Sequence, residues 1–243
     1  MSSRPIPERP GAEQSTQVSY TILRSGAAHT AELEIRKSRF LAVLARVDSE
    51  DAARAAIAEV TAQHRDARHH CTAFVLGPTR DTTRSSDDGE PAGTAGIPML
   101  QTLTQFATPQ QRIAQEAGDL SDVCAVVVRW FGGVKLGAGG LVRAYSGAVT
   151  AALETAPLAR RLRCRELSVT APHAEAGRIE AELRSQDYTM LPTGYDAARA
   201  TLHLLMPDHP AQIARAHEDL AAATSGHAEV AEGALRWQDV PLA

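Results

Sequence analysis

Val123–Pro157 reads VCAVVVRWFGGVKLGAGGLVRAYSGAVTAALETAP, and its two ends follow different periods. Val123–Val128 is an unbroken apolar run, the pattern of a strand buried on both faces. Leu141, Tyr145, Val149 and Leu153 recur at helical spacing, and Pro157 ends that helix. Between them, Arg129–Tyr145 holds five glycines, three cationic side chains and no acid. The glycine segment is therefore a strand-to-helix connection.

That placement gives the segment its chemistry. Amides at a helix N-terminus are unpaired and the macrodipole adds partial positive charge, so anions are attracted there. Gly137, Gly139 and Gly140 would let a phosphate approach the backbone, with Lys135 and Arg143 adding charge. Both standard nucleotide motifs fail, however. The lysine precedes the glycines instead of following them, and GAGGLV lacks the third glycine and the later acid of a dinucleotide fingerprint. A tight turn with close helix–strand packing is the plainer explanation, since glycine often serves geometry.

Upstream, Ala31–Arg36 and Phe40–Val47 read as strands, and Asp48 or Ser49 can cap a helix whose Ala53, Ile57 and Val60 share a face. Cys71–Leu76 is a short apolar strand, and Ile97–Phe106 a helix with Pro98 tolerated in its first turn. The polar stretch between them, TRDTTRSSDDGEPAGTAG, has neither period and reads as a long loop. Its acids Asp87, Asp88 and Glu90, with Gly89 and Thr94 beside them, could hold a hard cation, although no EF-hand spacing is met. Paired with the glycine turn, they would suit magnesium-assisted phosphoryl transfer. A solvated acidic turn is the simpler alternative.

In RHHC, Arg68–Cys71, alternation sends His69 and Cys71 to one side of a strand and His70 to the other. The histidines could act as acid and base and Cys71 as nucleophile, but the three cannot converge. No zinc spacing is satisfied, so a structural or surface role is the plainer reading. Trp130 and Phe131, at the end of the apolar strand, could stack on a base or anchor the core. Cys124 falls within the apolar run and reads as core.

Downstream, Leu167, Val169 and Ala171 alternate as in a strand, and Ile179 and Leu183 mark a helix. Tyr188–Gly194 reads as a second strand and Ala200, Leu202 and Leu204 as a third. Ile213 and Leu220 mark another helix, and a final strand is expected over His227–Leu235. The order βαββαβ is the ferredoxin-like pattern. Residues 158–165, LARRLRCR, read as an exposed linker in which four arginines need no further role.

The 243 residues suggest one large or two modest domains, and 44% hydrophobic content is ample for their cores. The net charge of −4 argues against a dedicated nucleic-acid binder as a whole. Residues 1–164 carry 19 Lys+Arg against 17 Asp+Glu, however, while residues 165–243 carry 6 against 12. A polyanion would meet the first part. Three separated cysteines form no disulfide framework and fit a reducing cytoplasm. No apolar run approaches the roughly 20 residues of a membrane helix, so no membrane association is expected. Residues 1–17, rich in Pro, Ser, Glu and Arg, read as a disordered lead-in.

KSRF, RHHCTAF, SSDDGEPAGTAG and above all VVVRWFGGVKLGAGGLVRAYSGA together resemble the IMPACT/YigZ family. The resemblance covers roughly residues 18–157. It implies an α+β protein with an N-terminal βαβ-type domain, 18–157, similar to a ribosomal-protein second domain and some small-molecule kinases. After the linker 158–165, it implies a ferredoxin-like C-terminal domain over 166–243. Matched positions include Arg68, Asp87, Asp88, Gly89, Glu90, Thr94, Arg129, Lys135, Gly137, Gly139, Gly140, Arg143 and Tyr145, to which the family attaches no catalytic roles. The leading expectation is a non-enzymatic, translation-associated protein binding RNA, the ribosome or a translation factor through its first domain. No metal or cofactor enters that reading. The alternative is a magnesium-dependent hydrolase or phosphotransferase built on the acidic loop and the glycine turn.

Overall fold

In a computed structural model, which describes residues 18–242, the chain divides into two units. One holds Tyr20–Arg160 with residues 239–242, and the other Arg161–Gln238 with residues 18–19. The expected lead-in, 1–17, lies outside the described residues.

The first unit begins with β1 (Ser19–Leu23), β2 (His29–Ile35) and β3 (Ser38–Arg46). Helix α1 (Glu50–Gln63) follows, and Ser49 caps it by accepting from the amide of Ala52. The chain continues through β4 (His69–Leu76), β5 (Thr82–Ser86), α2 (Gly96–Gln105), α3 (Pro109–Ala114), β6 (Val123–Trp130) and α4 (Ala138–Thr155). Five strands form an antiparallel sheet in the order β2-β3-β6-β4-β5.

Because β3 and β4 both run antiparallel to β6 between them, the two strands joined by α1 are parallel to each other. The run on β6 is apolar throughout because both faces of the sheet are covered. Val123, Ala125 and Val127 pack with Met99 and Leu103 of α2 and with Leu141, Tyr145 and Val149 of α4. Cys124, Val126 and Val128 pack with Ala53 and Val60 of α1. Alternation along β6 thus sends Arg129 toward α4 and Trp130 toward α1.

The second unit is built from the remainder of β7 (Leu158–Pro172), α5 (His173–Ser185), β8 (Thr189–Met190), β9 (Gly194–Tyr195), β10 (Arg199–Pro207), α6 (Pro210–Ala223) and β11 (Val230–Pro241). β10 pairs antiparallel with both β7 and β8, with Leu167 opposite Leu204 and Val169 opposite Leu202, and β11 pairs with β7. Leu167, Val169, Ile179, Leu183, Leu202 and Leu220 share its core. The molecule is α+β with antiparallel sheets. Among the described residues, no helix is long and apolar enough to cross a membrane.

Two segments differ from expectation for physical reasons. Thr82–Ser86, inside the expected loop, is an edge strand that pairs with β4 through its backbone, so its polar side chains carry no hydropathy signal. Residues 158–165, expected as an exposed linker, form the first part of β7. Their arginines fit in a strand because acids meet them: Arg160 reaches Asp119 at 2.6 Å, and Arg163 and Arg165 share Asp208. Smaller differences are that the strand expected over Tyr188–Gly194 is split into β8 and β9, and that the final strand continues to Pro241.

Candidate functional site

The register of β6 sets Arg129 between Phe40 of β3 and His69 of β4, on the α4 side of the sheet. Arg129 is only 5% exposed, and a buried guanidinium needs partners. Its Nη1 donates to Glu90 Oε1 at 2.5 Å and its Nη2 to Ser38 Oγ at 3.4 Å. Its Nε is buried with no hydrogen-bond partner among the described residues. Phe40 and Phe131 flank the guanidinium, with ring centroids 5.3 and 5.6 Å from Cζ.

Glu90 is also buried, and among the described residues the polar contacts of its side chain fall on Oε1: Arg129, the hydroxyl of Tyr145 at 2.8 Å, and His69 Nε2 at 3.9 Å. Tyr145 stands edge-on to Phe40 in the core. Burial first, then the neighbouring Cys71 and Glu90, push its phenol far up, so it stays a protonated donor.

The acidic loop is an ordered device that presents Glu90. Asp87 accepts from the amides of Gly93, Ala95 and Gly96. Burial alone would push its carboxyl up; the three amides outweigh that and hold it below its ordinary value. Asp88 has positive φ and accepts from the amide of His70 at 2.6 Å, and its carbonyl accepts from His69 Nδ1 at 2.8 Å. Gly89 also has positive φ, and Thr94 Oγ1 donates to the carbonyl of Pro91. Asp87, Asp88 and Glu90 therefore face different partners. Among the described residues, no group of three or more His, Cys, Asp or Glu side chains is arranged to hold a metal ion.

The glycine turn is largely architectural. A Cβ on Gly132 would lie 1.9 Å from the carbonyl oxygen of Lys37, so only glycine fits against the β2–β3 turn. Gly137, at φ 71° and ψ 166°, occupies a region that is essentially glycine-only. A Cβ on Gly140 would come within 3.0 Å of Leu136 Cβ, whereas one on Gly139 would meet nothing nearer than Arg143 Nη1 at 3.8 Å. Gly137 caps α4 without a side-chain hydrogen bond, which leaves the first-turn amides open.

These parts enclose a cleft of about 400 Å³ lined by Arg68, His69, Glu90, Arg129, Phe131, Lys135 and Gly137 among others. Arg68 and Lys135 are exposed at its rim, and Phe131 is 45% exposed. The structure thus brings Arg68, Arg129, Lys135, Gly137 and Glu90 together. Gly139 and Gly140 follow in the first turn of α4, and Arg143 is exposed on that helix without lining the cleft. Tyr145, expected among the binding residues, is fully buried and reaches the cleft only through Glu90.

The sequence offers Phe131 as a stacking ring and His69 as part of RHHC, but neither stands among the anion-binding candidates, and both line the cleft. Alternation already placed His69 opposite His70, but nothing in the sequence says that α4 begins in front of it. Trp130 points to the other face, where its Nε1 donates to Asp66 and Arg39 covers its ring at 3.7 Å. Its position is structural.

Comparison with known proteins bears on this geometry. The Impact N-terminal domain family model matches residues 36–153, a span that contains every cleft residue named above. The chain is 39% identical over 172 residues to IMPACT family member YvyE of Bacillus subtilis, covering 71% of this chain and 73% of that protein. It is 41% identical over 166 residues to IMPACT family member YigZ of Escherichia coli, covering 68% and 76%. Among solved structures, the crystal structure of a hypothetical protein aligns with a TM-score of 0.52 at 37% identity, covering 88% of this chain and 96% of that one.

Proposed function

The chain belongs to the IMPACT family, and from that premise we propose that it is a translation-associated cytoplasmic protein that binds RNA, without catalysis, through the cleft at the start of α4. One observation carries this reading. Three cationic side chains, Arg68, Arg129 and Lys135, share a cleft with an uncapped helix N-terminus and the exposed ring of Phe131. Open amides and cations suit phosphates, and an exposed aromatic offers a stacking surface to any base. Charge division supports the same choice of surface, because the acidic excess lies in residues 165–243 and the cleft does not.

The fold assignment extends in the same way. The split arrangement of β3, α1 and β4 around β6 supports a relation of the first unit to ribosomal-protein second domains. The order β11-β7-β10-β8 supports a ferredoxin-like tail.

The test is co-sedimentation of the full chain with ribosomes and with total RNA, before and after ribonuclease treatment. Association should be lost after ribonuclease and should weaken steeply as salt rises. Association that survives both treatments would point to a protein partner instead and would overturn the reading.

A further inference from the structure

A cationic rim accounts for holding a polyanion, but not for the buried carboxylate behind it. Glu90 lines the cleft, its side chain is 3% exposed, and a carboxylate facing an incoming phosphate repels it. The arrangement makes sense if the ligand also brings a hydrogen-bond donor. Among the described residues, the three polar contacts of the Glu90 side chain fall on Oε1, so Oε2 takes none of them.

His69 offers a second acceptor. Its Nδ1 lies 2.8 Å from the carbonyl oxygen of Asp88, which can only accept, so Nδ1 carries the proton. In the neutral ring Nε2 keeps its lone pair, on a residue lining the same cleft. Arg129, whose buried Nε has no hydrogen-bond partner among the described residues, lines the same cleft and keeps a positive charge next to Glu90.

We infer that the cleft selects ribonucleotides over deoxyribonucleotides, with Glu90 and His69 accepting from ribose hydroxyls while the phosphate sits at the rim and the start of α4. The inference rests on the nucleic-acid reading given above and names the feature of the ligand that is read. A phosphate with a hydroxyl donor a few bonds away is what a ribonucleotide presents. A deoxyribonucleotide would leave the carboxylate oxygen facing the ligand without a donor, and the 2′-hydroxyl is the group by which proteins tell RNA from DNA.

The first arm of the test alters the ligand and leaves the protein intact. Anisotropy titrations of the full chain compare a labelled single-stranded RNA with the DNA of the same sequence and with its 2′-O-methyl form, at one low salt concentration. The RNA should bind about tenfold tighter than either, because a hydrogen bond to a charged group has that weight and a methyl ether cannot donate. In Glu90→Gln, checked for folding by its thermal transition, the ratio should fall toward one through a gain in DNA affinity. Equal affinity of wild-type protein for RNA and DNA overturns this inference and leaves the RNA-binding cleft standing. Failure to bind either overturns both.

Discussion

At the scale of single residues, the chemistry of the first unit depends on how buried polar groups are satisfied. Burial pushes the thiols of Cys71 and Cys124 up to about 12 and that of Cys164 up to about 11. Thiolate is the reactive form, so all three should resist a disulfide reagent at about pH 8 in the native protein and react together once it is unfolded. Labelling of Cys71 in the native state would contradict its place behind the cleft. Asp87 makes an opposite prediction about acid. Its folded carboxyl lies below the ordinary 3.8, so its stabilisation is present at neutral pH and is lost as pH falls through the folded value. Asp87→Asn should cost about 2 kcal/mol at neutral pH, the order of weakening charge-assisted bonds to buried amides. Urea titrations should show the gap from wild type closing below about pH 4. A gap that persists in acid would mean that the amides do not depend on the charge.

At the scale of elements, the turn between β6 and α4 separates geometry from function. Gly132→Ala drives a Cβ into the Lys37 carbonyl and should destabilise the protein by about 3 kcal/mol, whatever the ligand. Gly139→Ala adds a methyl that meets only the flexible end of Arg143, at 3.8 Å, so the thermal midpoint should hold or rise slightly. RNA affinity should nonetheless fall, because the methyl stands where a phosphate approaches the first turn of α4. Unchanged affinity would remove the helix start from the site. β6 and α4 could be read from the sequence because burial imposes a regular pattern on their side chains. β5 and the start of β7 could not, because an edge strand is held by its backbone and the arginines of β7 are neutralised by acids distant in sequence. The cleft residues could be collected as motif positions, but their convergence is set by the register that places His69 opposite Arg129. Tyr145 shows the limit from the other side. It shares helical spacing with Leu141 and Val149, and the structure buries all three on one face in the core, which leaves Tyr145 no exposed surface for a ligand.

At the scale of the whole molecule, the account rests on phosphate contacts made by the first unit, in a protein whose overall charge is negative. Affinity must then come from a few local cations, and each should register as released counterions. Arg68 and Lys135 are exposed at the rim, so replacing them leaves the core untouched. The decisive measurement is the slope of log affinity for single-stranded RNA against log salt, for wild type and for the Arg68→Ala, Lys135→Ala double variant. The cleft predicts a slope shallower by about 1.4 in the variant, with weaker binding at every salt concentration, since each phosphate contact on a single strand contributes about 0.7. Identical slopes and affinities in the two proteins would contradict the assignment of RNA to this cleft.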